Sequence, residues 1–294
     1  MLDQANIPNP YLLRIRRFCS SNPAGTAGLL IVIVALFGAV FAPLISPFPH
    51  DSFVATRYLK PFQEANDGRL LIFGSDELGR DEFTRIIYGG RISLLVGFLS
   101  PIIGVSFGTM IGIISAYYGR WVDLILQRFV DTLLILPGLV ILMTVTAAFG
   151  FTVTVVIAAL SMFSGIGTIR IVRSHVLALR EAQYIESQRA IGSSVVRIIL
   201  RHILPNTLPV SIVLVAVGIA GAIVAEAQLS FLGLGIAPPT PTWGNMLNGA
   251  QSRFTLGAHL AILPGVFITV TVLALNLLGD TVRDIMDPRL RGRQ

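Results

Sequence analysis

Arg180-Glu-Ala-Gln-Tyr-Ile-Glu-Ser-Gln-Arg-Ala-Ile-Gly192, running on through Ser193-Ser-Val-Val-Arg-Ile-Ile-Leu-Arg-His-Ile-Leu-Pro-Asn206, is an arginine-studded stretch between long uncharged runs. The runs decide the class. Phe18–Pro49, Ile92–Gly119, Thr132–Ile169, Ile203–Ala225, Ala227–Ser252 and Phe254–Gly279 contain no Asp, Glu, Lys or Arg. Only 13% of the 294 residues are charged and 53% are hydrophobic, against roughly 25% charged in a water-soluble domain. A bilayer core takes about 20 residues of helix. Thr132–Ile169 is too long for one crossing and divides near Ala147–Phe151, where glycine turns the chain. Ala227–Ser252 is uncharged, but Gly233, Gly235, Pro238, Pro239, Pro241 and Gly244 break it, so it reads as a surface loop. Six spans are expected, at about 27–45, 92–116, 123–146, 151–170, 204–229 and 258–280, in an all-α polytopic membrane protein. A soluble protein with six such greasy helices lacks the polar residues to shield them.

Charge sets the expected orientation. With the N-terminus inside, 15 of the 22 lysines and arginines fall on the cytoplasmic side, where such residues accumulate. Both termini and the 170–203 segment are then expected to be cytoplasmic. The net charge of +6 is spread over span ends and comes with no nucleic-acid-binding motif, so no nucleic-acid partner is expected. Leu13–Ala42 also has the form of a basic region before a signal-peptide core, but five following spans favour a retained helix. The expected organisation is a cytoplasmic tail at 1–26, a first span and external loop at 27–91, a permease core at 92–283 containing the segment 180–203, and a tail at 284–294.

Chemistry is missing. The single lysine, Lys60, has no glycine-rich phosphate loop before it. His50, His175, His202 and His259 form no metal-ligand spacing, and there is no nucleophile elbow. Cys19 stands alone, which excludes an intrachain disulfide. The chain is expected to be no enzyme, with no catalytic, cofactor or metal site, so uphill transport would draw on an ion gradient or on another protein. An ion-driven carrier would need deep acids and inverted repeats, and neither is evident.

Several residues carry local expectations. Ser75 is expected to cap a short amphipathic helix, with Asp76 and Glu77 in its first turn and Phe83, Ile86 and Ile87 on one face, feeding the second span. Its role is either self-solvating or the positioning of an entrance or external partner. Gly104, Gly108 and Gly112 line one helical face, suited to close approach of a neighbouring helix or to a smooth pore strip. Gly218, Gly221, Ala222 and Ala225 give the fifth span a similar surface. Asp131 is expected to pair with Arg128, and Pro137 to kink the third span. Glu226 lies near the far end of the fifth span, as a hydrogen-bonded interfacial residue or as a substrate or gating contact. Glu181–Ile191 reads as a helix ended by Gly192. Arg197–Leu204 starts a second piece, with Pro205 at the beginning of the span. A short lateral helix between two spans either connects them at the interface or sits in a cleft of a cytoplasmic protein that moves both.

Glu186, Ser187, Gln188, Gly192, Leu204 and Pro205 resemble the EAA loop of ATP-binding-cassette importer permeases, in which Glu-Ala-Ala precedes Gly and a closing Leu-Pro. Ser187 and Gln188 depart from its two alanines. Gly74-Ser-Asp-Glu-Leu-Gly-Arg-Asp81, Gly90-Arg-Ile-Ser-Leu94, Arg201-His-Ile-Leu-Pro-Asn206, Glu226-Ala-Gln-Leu-Ser-Phe-Leu-Gly-Leu-Gly235, Pro238-Pro-Thr-Pro-Thr-Trp-Gly-Asn-Met246 and Asp287-Pro-Arg289 are similar to signatures of the C-type subunit of dipeptide and oligopeptide permeases. That resemblance implies a type I importer permease fold, with Glu186, Ser187, Gln188, Ala190 and Gly192 in a coupling helix that docks on an ATPase. It implies a second homologous permease, two cytoplasmic ATPases that use ATP and Mg, an external peptide-binding protein and the lipid bilayer as partners. Asp131, Glu226 and Pro205 would be structural or gating residues. The cargo implied is dipeptides or oligopeptides, with nickel chelates or another small solute as the alternative within the family.

Overall fold

The computed structural model describes residues 22–250 and 254–286. Its helices in chain order are α1 (Pro23–Val40), α2 (Ala42–Ile45), α3 (Glu82–Tyr118), α4 (Arg120–Ile135), α5 (Gly138–Phe149), α6 (Val153–Arg180), α7 (Gln183–Ala190), α8 (Val195–Ile198), α9 (Leu204–Phe231), α10 (Trp243–Leu247) and α11 (His259–Met286). A two-stranded antiparallel ribbon, β1 (Gln63–Glu64) with β2 (Leu70–Leu71), folds the loop after α2. Cys19, most of the expected tail at 1–26 and Asp287-Pro-Arg289 lie outside the described residues.

Five helical runs are long and apolar enough to cross a membrane: α1, α3, α6, Val195–Phe231 and α11. The third expected span, 123–146, is instead two helices, α4 and α5, bent by 92°. Pro137 causes this break. It has no N–H to continue the ladder, and it forces the residue before it out of the helical region; Leu136 accordingly has ψ 138°. The kink expected there is thus a full change of direction.

The start of α3 also differs from expectation. Ser75 caps nothing: its Oγ donates to Thr56 O at 2.6 Å and accepts from Leu59 N at 2.9 Å. The Asp76 carboxylate takes the amides of Leu78 and Arg80, a local turn that competes with helix. Asp81 is the cap, accepting from Thr84 N at 2.9 Å. From there α3 runs 37 residues without interruption, about 55 Å at 1.5 Å per residue. It projects well past a hydrocarbon core of about 30 Å.

The glycine stripe of α3 is an interface. A Cβ on Gly108 would stand 2.5 Å from Gly165 O, and one on Gly112 would stand 2.9 Å from Ile169 O, both on α6. These two helices share the most extensive packing in the molecule. On α9, Gly218 meets Pro101 of α3, whereas Gly221 faces open space. At the end where α6 terminates, Ile113, Val172, Ile185, Ile198 and Ile203 form one apolar cluster. At the opposite end Leu94, Ile223, Trp243 and Leu275 join α3, α9, α10 and α11. Outward-facing Leu30, Val34 and Phe37 of α1 and Phe107 of α3 are more than half exposed, an apolar surface that lipid or a partner must cover.

The segment into α9 is continuous helix. Ile199–Ile203 is a single π-helical turn joining α8 to α9, and Pro205 follows at the first positions of α9. A proline removes a backbone donor and crowds the carbonyl four residues back, and one wider turn accommodates both. The apolar 232–250 stretch is a loop that carries α10, not a span.

Candidate functional site

One side chain of α7 is buried. Ile185 is wholly buried in one apolar cluster with Ile113, Val172, Val176, Ile198 and Ile203, which come from α3, α6, α8 and the π turn. Ala182, extended at ψ 139°, breaks α6 from α7, and no side chain caps the new helix. The far end closes in a Schellman arrangement. Ser193 N donates to Gln188 O at 3.0 Å and Gly192 N to Arg189 O at 3.0 Å, which leaves Gly192 at φ +76°. L-residues disfavour that conformation.

The two departures from alanine have local uses. Ser187 Oγ donates to Gln183 O at 2.9 Å, and Ser193 Oγ donates to Gln188 Oε1 at 3.0 Å across the closing turn. Ala190 and Gly192 are exposed, as is Glu186, whose carboxylate has no ion pair among the described residues. Beside them stand Tyr184 and, three-quarters exposed, Ile191. One face of α7 therefore grips the helical body, while the other offers a carboxylate, small residues and apolar side chains.

Polar ties link this segment to α3 and α4. Arg180 Nη1 donates to Ala116 O at 3.1 Å. The Arg189 guanidinium lies over the Tyr117 ring at 5.5 Å, a favourable cation–π geometry. Arg173 of α6 forks onto Asp123 of α4 through Nε at 2.5 Å and Nη2 at 2.6 Å, and Asp123 also accepts from Ser115. Asp131 pairs with Arg170 of α6, not with Arg128. The crossing of α4 over α6 brings Arg170 to the carboxylate, and Arg128 stays exposed.

Glu226 sits near the opposite end of α9, wholly buried. Its Oε2 accepts from Ser93 Oγ at 3.1 Å and its Oε1 from Ser230 Oγ at 2.8 Å. Ser93 Oγ also accepts from Trp243 N, and Trp243 Nε1 donates to Ile86 O at 3.0 Å. Glu226 is thus hydrogen-bonded and enclosed within the protein. Sequence reasoning missed the pairing of Asp123 with Arg173, and it met Ser93 and Trp243 only inside family signatures, without their contacts. Only Ser230, one helical turn from Glu226, had a readable local signal.

Residues 108–292 match the family described as binding-protein-dependent transport system inner membrane component. Residues 11–61 match the N-terminal TM domain of oligopeptide transport permease C. Glutathione transport system permease protein GsiD of Escherichia coli O6:K15:H31 (strain 536 / UPEC) is 39% identical over 279 residues, which is 94% of this chain and 90% of that protein. The protein of the same name from Shigella boydii serotype 4 is equally similar. Among solved structures, two crystal forms showing inward facing conformations of the MetNI methionine ABC transporter each give a TM-score of 0.53. At 17% and 19% identity they cover 69% and 70% of this chain and 96% and 97% of theirs. That likeness shows the fold of a type I importer permease. By the match over its core and its identity across nearly its whole length, the chain belongs to the family of binding-protein-dependent transport system inner membrane components.

Proposed function

We infer that this chain is the permease subunit of an ATP-driven peptide importer, and that α7 is the element through which a separate ATPase moves it. The carrying observation is the two-sidedness of α7, anchored inward by Ile185 and open outward at Tyr184, Glu186, Ala190 and Ile191. Both helices attached to α7 are long spans, and Arg173 ties the first of them to α4. A push on α7 is therefore delivered to α3, α4, α6 and α9 together. In this reading α7 and both termini face the cytoplasm, in keeping with the arginine bias of the sequence. The partners are a second homologous permease, two ATPases that consume ATP and Mg, and an external peptide-binding protein. This chain supplies half of the path and no catalytic group. Relatives named for glutathione, a tripeptide, and the oligopeptide permease likeness at residues 11–61 favour peptides over nickel chelates as cargo. Ion-driven transport has no comparable support.

Purification from the native membrane in mild detergent, followed by mass spectrometry of the associated chains, tests the assembly. A second permease and ATPase subunits are expected. A reproducible homo-oligomer without an ATPase would overturn the reading.

A further inference from the structure

At the end of the helices opposite α7, the Arg85 guanidinium is buried and short of acceptors. Arg85 is 7% exposed and its Nη1 has no hydrogen-bond partner. Among the described residues the carboxylate within ion-pair distance is that of Asp76, whose Oδ2 stands 3.4 Å from Arg85 Nε. That oxygen is already taken by Arg80 Nε at 2.6 Å, and Oδ1 by the amides of Leu78 and Arg80. Arg85 and Arg80 line a cavity of about 260 Å³ whose other walls include Phe151, Ile236 and Pro238. Asn245 and Asn248 also line it, but their Nδ2 groups are committed to backbone carbonyls of residues 230–240 and hold the loop in place. The cavity thus has a desolvated guanidinium with donors to spare on one side and an apolar wall on the other. A buried charge without full pairing is costly, and an arginine fork matches a carboxylate best.

We propose that this cavity is a carboxylate-binding site, which takes a carboxylate attached to an apolar group. Glu77 lines it as well, and Glu82 lines a smaller cavity next to it; these carboxylates disfavour a doubly charged phosphate more than a single carboxylate. Two sources present such a group: the C-terminus of a short peptide, and an acidic side chain on an external protein docked at this end. The proposal rests on the functional reading only in taking this end as external.

The test uses the full assembly in lipid nanodiscs. Binding of radiolabelled N-acetyl-Ala-Phe with a free carboxylate, of its C-terminal amide and of inorganic phosphate is measured on wild type, Arg85→Gln and Ala237→Trp. The last variant fills the cavity from its exposed rim without touching the arginine. Affinity of the assembly for its external binding protein is measured in parallel. A peptide source predicts that the acid binds at least tenfold more tightly than amide or phosphate, and that both variants lose this preference. A protein source predicts equal weak binding of acid and amide, with at least tenfold loss of binding-protein affinity in both variants. If neither affinity changes in either variant, the cavity holds only water and the proposal is wrong. If Arg85→Gln does not assemble, Ala237→Trp carries the test. A permease that purifies without ATPases would refute the function proposed above, yet the acid-versus-amide comparison could still be made on it.

Discussion

Ile185→Ala isolates the anchor of α7. Ile185 is the one buried residue among the eight of that helix and is 0% exposed. An isolated helix of eight residues has almost no stability of its own, because nucleation is unfavourable and too few residues follow it. Docking must therefore supply nearly all of its order. Truncating a buried isoleucine to alanine costs about 2–5 kcal/mol. The cavity opens at the edge of the cluster where neighbours can relax, so the lower end, about 2 kcal/mol, applies here. At 1.4 kcal/mol per decade that lowers the docked population of α7 roughly 30-fold. Hydrogen exchange on the assembly in nanodiscs reads this directly. Amides of residues 185–191 should lose at least tenfold protection, while those in the middle of α3 and α6 keep theirs. Substrate-stimulated ATP turnover should fall in step. Ile191→Ala, at a position 74% exposed, should leave the protection unchanged. Unaltered protection in Ile185→Ala, or equal losses in both variants, would refute the anchoring argument.

Three further outcomes are expected. Gly192→Val meets no atom within 4 Å of its Cβ, so its cost is conformational, about 1–2 kcal/mol; insertion and assembly should be intact while transport-coupled ATP turnover drops, and normal coupled turnover would count against the closing turn. Glu186→Lys should uncouple transport more than Glu64→Lys, an exposed carboxylate in β1; equal effects in a reconstituted transport assay would remove the case for a dedicated segment. Glu226→Ala should lower thermal stability in detergent by about 1–3 kcal/mol, the cost of leaving buried hydroxyls unpartnered, whereas Glu226→Gln keeps two polar atoms for Ser93 and Ser230 and should recover much of it; identical melting of the two variants would contradict the network.

The legible parts of this protein were those governed by local rules. Absence of charge over span lengths marked five helical runs, and the four-residue spacing of Gly104, Gly108 and Gly112 marked the α3–α6 seam. Gly192 could be placed because a helix end needs a left-handed residue. What could not be read were choices between local and distant partners. Asp131 had Arg128 within its own helix, but the crossing angle of α4 on α6 offered Arg170. Ser75 and Asp81 are both good caps by type, and the turn that Asp76 builds decided between them. Pro137 signalled a bend, but the 92° value depends on packing beyond the proline. The polar networks around Glu226 and Arg85 draw on residues as much as 150 positions apart, a separation that no periodicity encodes.

Site-directed cross-linking is the most direct measurement of the central claim that α7 meets an ATPase. Cys19 is replaced by serine, and a single cysteine is placed at Glu186 or, as the control, at Glu64. Each assembly is then treated in native membranes with a short thiol-to-amine cross-linker. A product containing an ATPase subunit should form from Glu186→Cys and not from Glu64→Cys. An intact, ATP-hydrolysing assembly in which Glu186→Cys gives no such product, or in which both positions react alike, would contradict the account.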